Sequence, residues 1–268
     1  MQADPIPPAW WLVQRGADPI VATAIHDGHA LGAASSAAMA LPEHERLREE
    51  DPHTGQAIVD VPTHVIATRS RFEVDLNRGL DDAVYLTPEQ CWGLHVWHAP
   101  PAGALLEALR DYHRSFYRML GDLLDEIVAR HGRFVLFDVH SYNHRRDGAD
   151  AAPTPQALAP DINIGTFSMP RDAWSFVLDP LMERMRAFDF NGRRLDVREN
   201  IAFQGKGELA CFVHARYPAT GCAIALEYKK FYMDEWSGVP DPGELAAMRA
   251  FIRDAAAHAR ALLGDSAA

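Results

Sequence analysis

Apolar positions along this chain follow two periods: short runs rich in β-branched residues, and longer stretches with apolar side chains every three or four positions. PIVATAIH (19–26) reads as a buried strand running into polar HDGH, so its carboxyl end opens into a loop. Residues 32–60 mix Ala, Gly, Pro and charge, and are expected to be irregular with short helical pieces. THVIATRSRFEVDLNRG (63–79) reads as a strand or pair of strands closed by Gly79. Between Pro101 and Gly132 the spacing of Leu105, Leu109, Tyr112, Phe116, Leu120, Leu123 and Ile127 predicts one long amphipathic helix with Gly132 at its C-cap. RFVLFDVHSY follows as the near-continuous apolar run of a buried parallel strand. The Pro/Ala-rich stretch 147–160 reads as a surface loop. A helix is expected from about Pro170, with Trp174, Val177, Leu181, Met185 and Phe188 on one stripe, and GCAIALEYKKFYM contains a further buried strand. In the last helix Asp241, Pro242 and Glu244 fit N-cap, N1 and N3, ahead of a stripe of Leu245, Met248, Ile252, Ala255 and Ala259. There are no internal repeats. The alternation implies one α/β domain spanning residues 1–268, with helices on both faces of a sheet.

Composition narrows the function classes. The chain has 268 residues, 48% hydrophobic and 24% charged, the balance of a soluble globular protein. Its 26 basic against 37 acidic residues leave a formal charge of −11, which argues against nucleic acid and anionic membrane as partners. Cys91, Cys211 and Cys222 are far apart and form no CxxC pair, so they read as small core residues in a reducing cytoplasm. MQADPIPPAWWLVQRG lacks the features of a signal peptide, and no run of 18 apolar residues exists. Neither GxSxG nor a P-loop is present. The unusual count is 13 histidines.

In open α/β sheets ligands bind beyond the carboxyl ends of the strands. Segments AIHDGH, EVDLNR, FDVHSY and ALEYKK are all expected to end there in reactive residues. His26 and His140 lead as ligands for Zn²⁺, which favours histidine and carboxylate with a position left for water. The plainer alternatives are an exposed loop histidine at 26 and a buried, carbonyl-bonded one at 140. Asp138 shares a strand face with His140 and can orient a neighbouring group. Read as a strand, RFEVDLNR puts Arg71, Glu73, Asp75 and Asn77 on one face, which a solvated face would also explain. Asp75 can accept a bond from a ligand histidine, and Arg78 offers a planar fork to a carboxylate. His95 and His98 in CWGLHVWH have the spacing of a second metal site. Tryptophans 10, 11, 92 and 97 read as core residues, with a pocket roof as the alternative.

The segments PIVATAIHDG, SRFEVDLNR, FDVHSY, PDINIGT and GKGE…GCAIALE resemble, in order, the motif series of N-formylglutamate amidohydrolases, over about residues 19–230. DLNR and HSY are also similar to elements of zinc carboxypeptidases. The resemblance implies a single zinc carboxypeptidase-like α/β domain with a mixed, mainly parallel sheet flanked by helices on both faces. It also implies one Zn²⁺ per chain. His26 and His140 match ligand histidines, and the acidic ligand falls in REEDPH, where Asp51 is best placed and Glu50 or His29 are the alternatives. Asp75 matches the residue that steadies a ligand histidine, and Asn77 and Arg78 match the clamp on the substrate's carboxylate. Arg71 matches a residue for oxyanion or carboxylate contact, and Glu227 matches the general base. A salt bridge from Glu227 to Lys229 or Lys230 is the structural alternative. HDGH and HSYNHRRDG depart from the family pattern. Arg145 and Arg146 in the second of these are candidates for a second substrate carboxylate. The expected activity is zinc-dependent hydrolysis of an N-formyl or N-acyl amino acid, N-formyl-L-glutamate first, in the cytoplasm. The alternatives are a relative acting on another N-acyl or peptide substrate, and a fold kept as a binding module.

Overall fold

The computed structural model describes residues 10–265. Seven strands build its sheet: β1 (Trp11–Gln14), β2 (Ile20–Ala24), β3 (Thr63–Ala67), β4 (Phe134–Tyr142), β5 (Ile162–Gly165), β6 (Val197–Glu199) and β7 (Gly221–Lys229). Their order is β1-β3-β2-β4-β7-β5-β6, with β3, β2, β4 and β7 parallel to one another. β1 and β5 run antiparallel to β3 and β7 respectively, which makes the sheet mixed. Every residue of β2 and β4 is buried, as their unbroken apolar runs require. β1 alternates half-buried and exposed, as an edge strand covered on one side does.

Around the sheet lie α1 (Ala33–Ala38), α2 (Glu43–Glu49), α3 (Thr54–Ile58), α4 (Gly103–His131), α5 (Ser175–Ala187), α6 (Glu208–Arg216) and α7 (Pro242–Asp265). One core joins α3, α5 and α7 to one face through Ile20, Ala22, Val135, Phe137, Ile224 and Leu226. The other joins α4 and α6 to the opposite face through Val21, Leu136 and Ala223. Neighbouring residues of one strand thus feed different cores, and the result is a single α/β domain. Gly132 ends α4 with φ of 78°, and Asp241 Oδ1 caps α7 by accepting the Gly243 amide at 2.8 Å and the Glu244 amide at 3.1 Å.

The expected strand at 71–78 does not form. The amides of Glu73 and Val74 turn back to the Ser70 carbonyl, and the Arg78 amide bonds the Asp75 carbonyl. Ion pairs follow the same curvature, Arg69 with Glu73 at 3.0 Å and Arg71 with Asp75 at 2.8 Å. Pairing at four-residue spacing belongs to a turn, whereas a strand would put 71, 73 and 75 together. The alternation misleads because Phe72, Val74 and Leu76 are buried without being extended. The fifth helix begins at Ser175, five residues after Pro170. Among the described residues no helix is long and apolar enough to cross a membrane. Residues 1–9, on which the signal-peptide reading partly rests, lie outside the described ones.

Candidate metal and active site

β2, β4 and β7 are neighbours, so their carboxyl ends share one rim. His26 stands two residues past β2, His140 lies within β4, and Glu227 sits directly across from His140 on β7. Asp51 reaches the same point from the segment between α2 and α3, where its amide bonds the His26 carbonyl at 2.9 Å. Three atoms converge there. His140 Nδ1 is 3.1 Å from His26 Nδ1 and 3.1 Å from Asp51 Oδ2, and His26 Nδ1 is 3.3 Å from Asp51 Oδ2. All three residues are buried.

The far side of each group is occupied. His26 Nε2 donates to Asp75 Oδ1 at 2.7 Å, and His140 Nε2 donates to Asp138 Oδ2 at 3.0 Å. Asp51 Oδ1 accepts the Ser141 hydroxyl at 3.1 Å, leaving Oδ2 to face the histidines. With Nε2 protonated on each ring, both Nδ1 atoms present lone pairs to a common point. For zinc with bonds of about 2.0–2.1 Å, tetrahedral ligands stand roughly 3.3–3.4 Å apart. The sides of 3.1, 3.1 and 3.3 Å come close to that spacing, so these residues fit a divalent metal.

Electrostatics point the same way, since three buried carboxylates surround the two rings. Burial alone would raise the Asp51 carboxyl, but His140 and His26 hold it well below the usual carboxylate range. Burial would likewise raise Asp75, and the charges of Arg71 and His26 outweigh it. Burial opposes a charged His140, yet Asp138 draws its pKa well above the usual imidazole value. The cluster calls for positive charge.

A cavity of about 190 Å³ opens on the triangle. Glu227 forms part of its wall, half-buried, and burial raises its carboxyl to about 7 against the pull of His140. Arg71 lines the cavity beneath the Trp92 ring at 5.1 Å, while its Nε has no partner. Asn77 and Arg146 line it too, the latter 3.7 Å from Glu49. Arg78 stands outside the wall, with its guanidinium 4.7 Å over the Tyr85 ring and Nε 3.7 Å from Asp75. Arg145 is also outside, 3.5 Å from Asp234. Glu50 and His29 pair with each other away from the triangle. Lys229 pairs with Asp161 at 3.1 Å, not with Glu227. His95 and His98 are exposed and join no metal-ligating group among the described residues. Of the tryptophans, Trp97 is buried and Trp92 lines the cavity. Cys91 and Cys222 are buried, and Cys211 is half-buried.

Sequence reasoning missed Lys230 as part of the site. Its buried ammonium donates to the carbonyls of Arg48, at 2.5 Å, and Glu50, at 2.7 Å, and so ties down the chain just before Asp51. Burial lowers its pKa to about 8. The only local signal is a lysine in a segment otherwise reading as core. Tyr85 was missed as well; its hydroxyl donates to Asp75, on the oxygen that Arg71 also holds.

A family model for N-formylglutamate amidohydrolase matches residues 18–233. No curated protein matches the chain. Among solved structures the chain is similar to N-formylglutamate amidohydrolase from Ralstonia eutropha JMP134, at 18% identity and a TM-score of 0.71, over 96% of this chain and 98% of that one. A gene product of Agrobacterium tumefaciens gives 16% identity and a TM-score of 0.64, over 93% of this chain and 94% of the other. At those identities the two structures speak to fold alone.

Proposed function

Since the chain belongs to the N-formylglutamate amidohydrolase family, we propose that it is a zinc-dependent hydrolase of N-formyl or N-acyl amino acids, with N-formyl-L-glutamate, cleaved to formate and glutamate, as reference substrate. The observation that carries this reading is the triangle of His26 Nδ1, His140 Nδ1 and Asp51 Oδ2, with each residue's other polar atom already bonded. Zinc held there supplies a Lewis acid for the amide carbonyl and lowers the pKa of water toward about 7. Glu227 accepts the proton of the attacking water and returns it to the leaving amine, a role suited to a carboxyl raised to about 7. Arg71, half-buried and fixed by Asp75, faces the charge that develops on the carbonyl oxygen. Asn77 and Arg146 are the cavity groups assigned to the substrate's carboxylates; Arg78 and Arg145, expected there from the sequence, lie outside the wall against Tyr85 and Asp234.

Metal analysis of protein purified without added zinc tests the site directly. The unaltered chain should carry one zinc, and His140→Ala should lose both zinc and formate release while its far-ultraviolet circular dichroism is unchanged. Stoichiometric zinc in His140→Ala would overturn the ligand assignment. Glu227→Gln should keep its zinc while kcat falls by about 10²–10⁴.

A further inference from the structure

Glu227 faces two cavities. The polar one holds the metal triangle, Arg71 and Arg146. Across Glu227 and Asn77 lies a second, of about 310 Å³, which shares Phe203 with the first. Ala202, Phe203, Ala210 and Ala225 give it a mostly apolar surface, alongside Asn77, Asp138, Glu227 and residues 204–207. Ala225 precedes Glu227 by two on β7 and so shares its strand face, and Ala210 opposes it from α6. Both alanines are buried, at 6% and 2% exposure, and larger side chains there would close the space.

An amide positioned for hydrolysis at Glu227 has two arms. The amino-acid arm carries carboxylates and belongs with the arginines of the polar cavity. The acyl arm then points across Glu227 into the apolar one. A formyl group has no carbon beyond its carbonyl and would leave that space unused. We propose that the second cavity is an acyl chamber and that this protein acts on N-acyl amino acids whose acyl group is a short hydrocarbon chain. This rests on the amidohydrolase reading above. Water adds across the amide, so the products are the free carboxylic acid and the amino acid.

The test uses zinc-loaded protein and a series from N-formyl- through N-acetyl- and N-propionyl- to N-butyryl-glutamate. Inhibition constants are measured in parallel for uncleavable isosteres in which a methylene replaces the amide nitrogen. Both kcat/KM and isostere affinity should rise about four-fold per added carbon up to butyryl. Ala210→Leu should cut the butyryl-to-formyl ratio at least ten-fold in both measurements, and Ala202→Leu, at the half-buried rim, fills the chamber with less demand on the core. Isostere affinity that is flat or falls with chain length overturns the chamber, and formyl turnover in that case leaves the hydrolase reading standing. Affinity that rises with length and collapses in the filled variants, without cleavage of any amide, supports the chamber and removes the hydrolase reading.

Discussion

An imidazole can offer a lone pair to a metal only when its other ring nitrogen keeps the proton, and the partner of that nitrogen decides which is which. Here the partners are carboxylates, Asp75 for His26 and Asp138 for His140. Asp138 has few other duties: its second oxygen accepts the Thr23 hydroxyl at 2.7 Å. Asp138→Asn keeps the shape and an acceptor but removes the charge that raises the basicity of His140. Zinc affinity should fall about 10–100-fold, read by competition with a chelator. An unchanged zinc constant would reduce Asp138 to a packing residue. The Asp138–His140 pair could be read from the chain because it lies two positions apart on one strand. Lys230 could not, because the carbonyls it holds are 182 and 180 residues away in sequence.

At the scale of elements, the strands that lead to His26 and carry His140 and Glu227 announce themselves by unbroken apolar runs, and their parallel pairing brings the three residues to one rim. The segment 71–78 does not, since its polar and apolar residues alternate as in a half-buried strand although Phe72, Glu73, Val74, Asp75 and Leu76 are all buried in a turn. What fixes the turn is distant: Glu208 and Leu209 at the start of α6 donate their amides to the carbonyl and side chain of Asn77, at 3.0 and 3.3 Å. That approach needs Gly207, where an added Cβ would lie 2.2 Å from Asn77 Oδ1. Gly207→Ala should therefore push the Asn77 amide out of place, destabilising the fold by about 1–3 kcal/mol, the usual penalty for overpacking. With Asn77 assigned to the substrate, KM should rise several-fold while zinc content holds. A variant with normal KM and normal melting would show that the contact relaxes harmlessly. β5 and β6 also escaped sequence reading, being too short, at 4 and 3 residues, to show a period of their own.

Across the whole molecule, the two cores on either side of the sheet differ in what they bury beside hydrocarbon. The α4/α6 side takes in His214, 7% exposed, whose Nε2 accepts the Ala223 amide of β7 at 3.0 Å. Its Nδ1 lies 2.8 Å from the Ser168 hydroxyl and carries the proton of the neutral ring. A second proton, on Nε2, would face an N–H that is already there. Burial lowers the His214 pKa to about 4, against an ordinary value of 6.5. Between those two values the unfolded chain binds a proton that the folded one refuses. Stability therefore falls as pH drops through that window, by roughly 3 kcal/mol at most at 1.36 kcal/mol per pKa unit, and the contribution is fully retained above it. Gln at this position can still accept the Ala223 amide but does not titrate. Urea unfolding from pH 7.5 to 4, with chelator present so that metal binding does not enter, should show His214→Gln losing less stability toward acid than the unaltered protein. The two curves should converge or cross near the acid end. Parallel curves over the whole range would mean that His214 titrates alike in both states, and the acid sensitivity would then belong to the carboxylates.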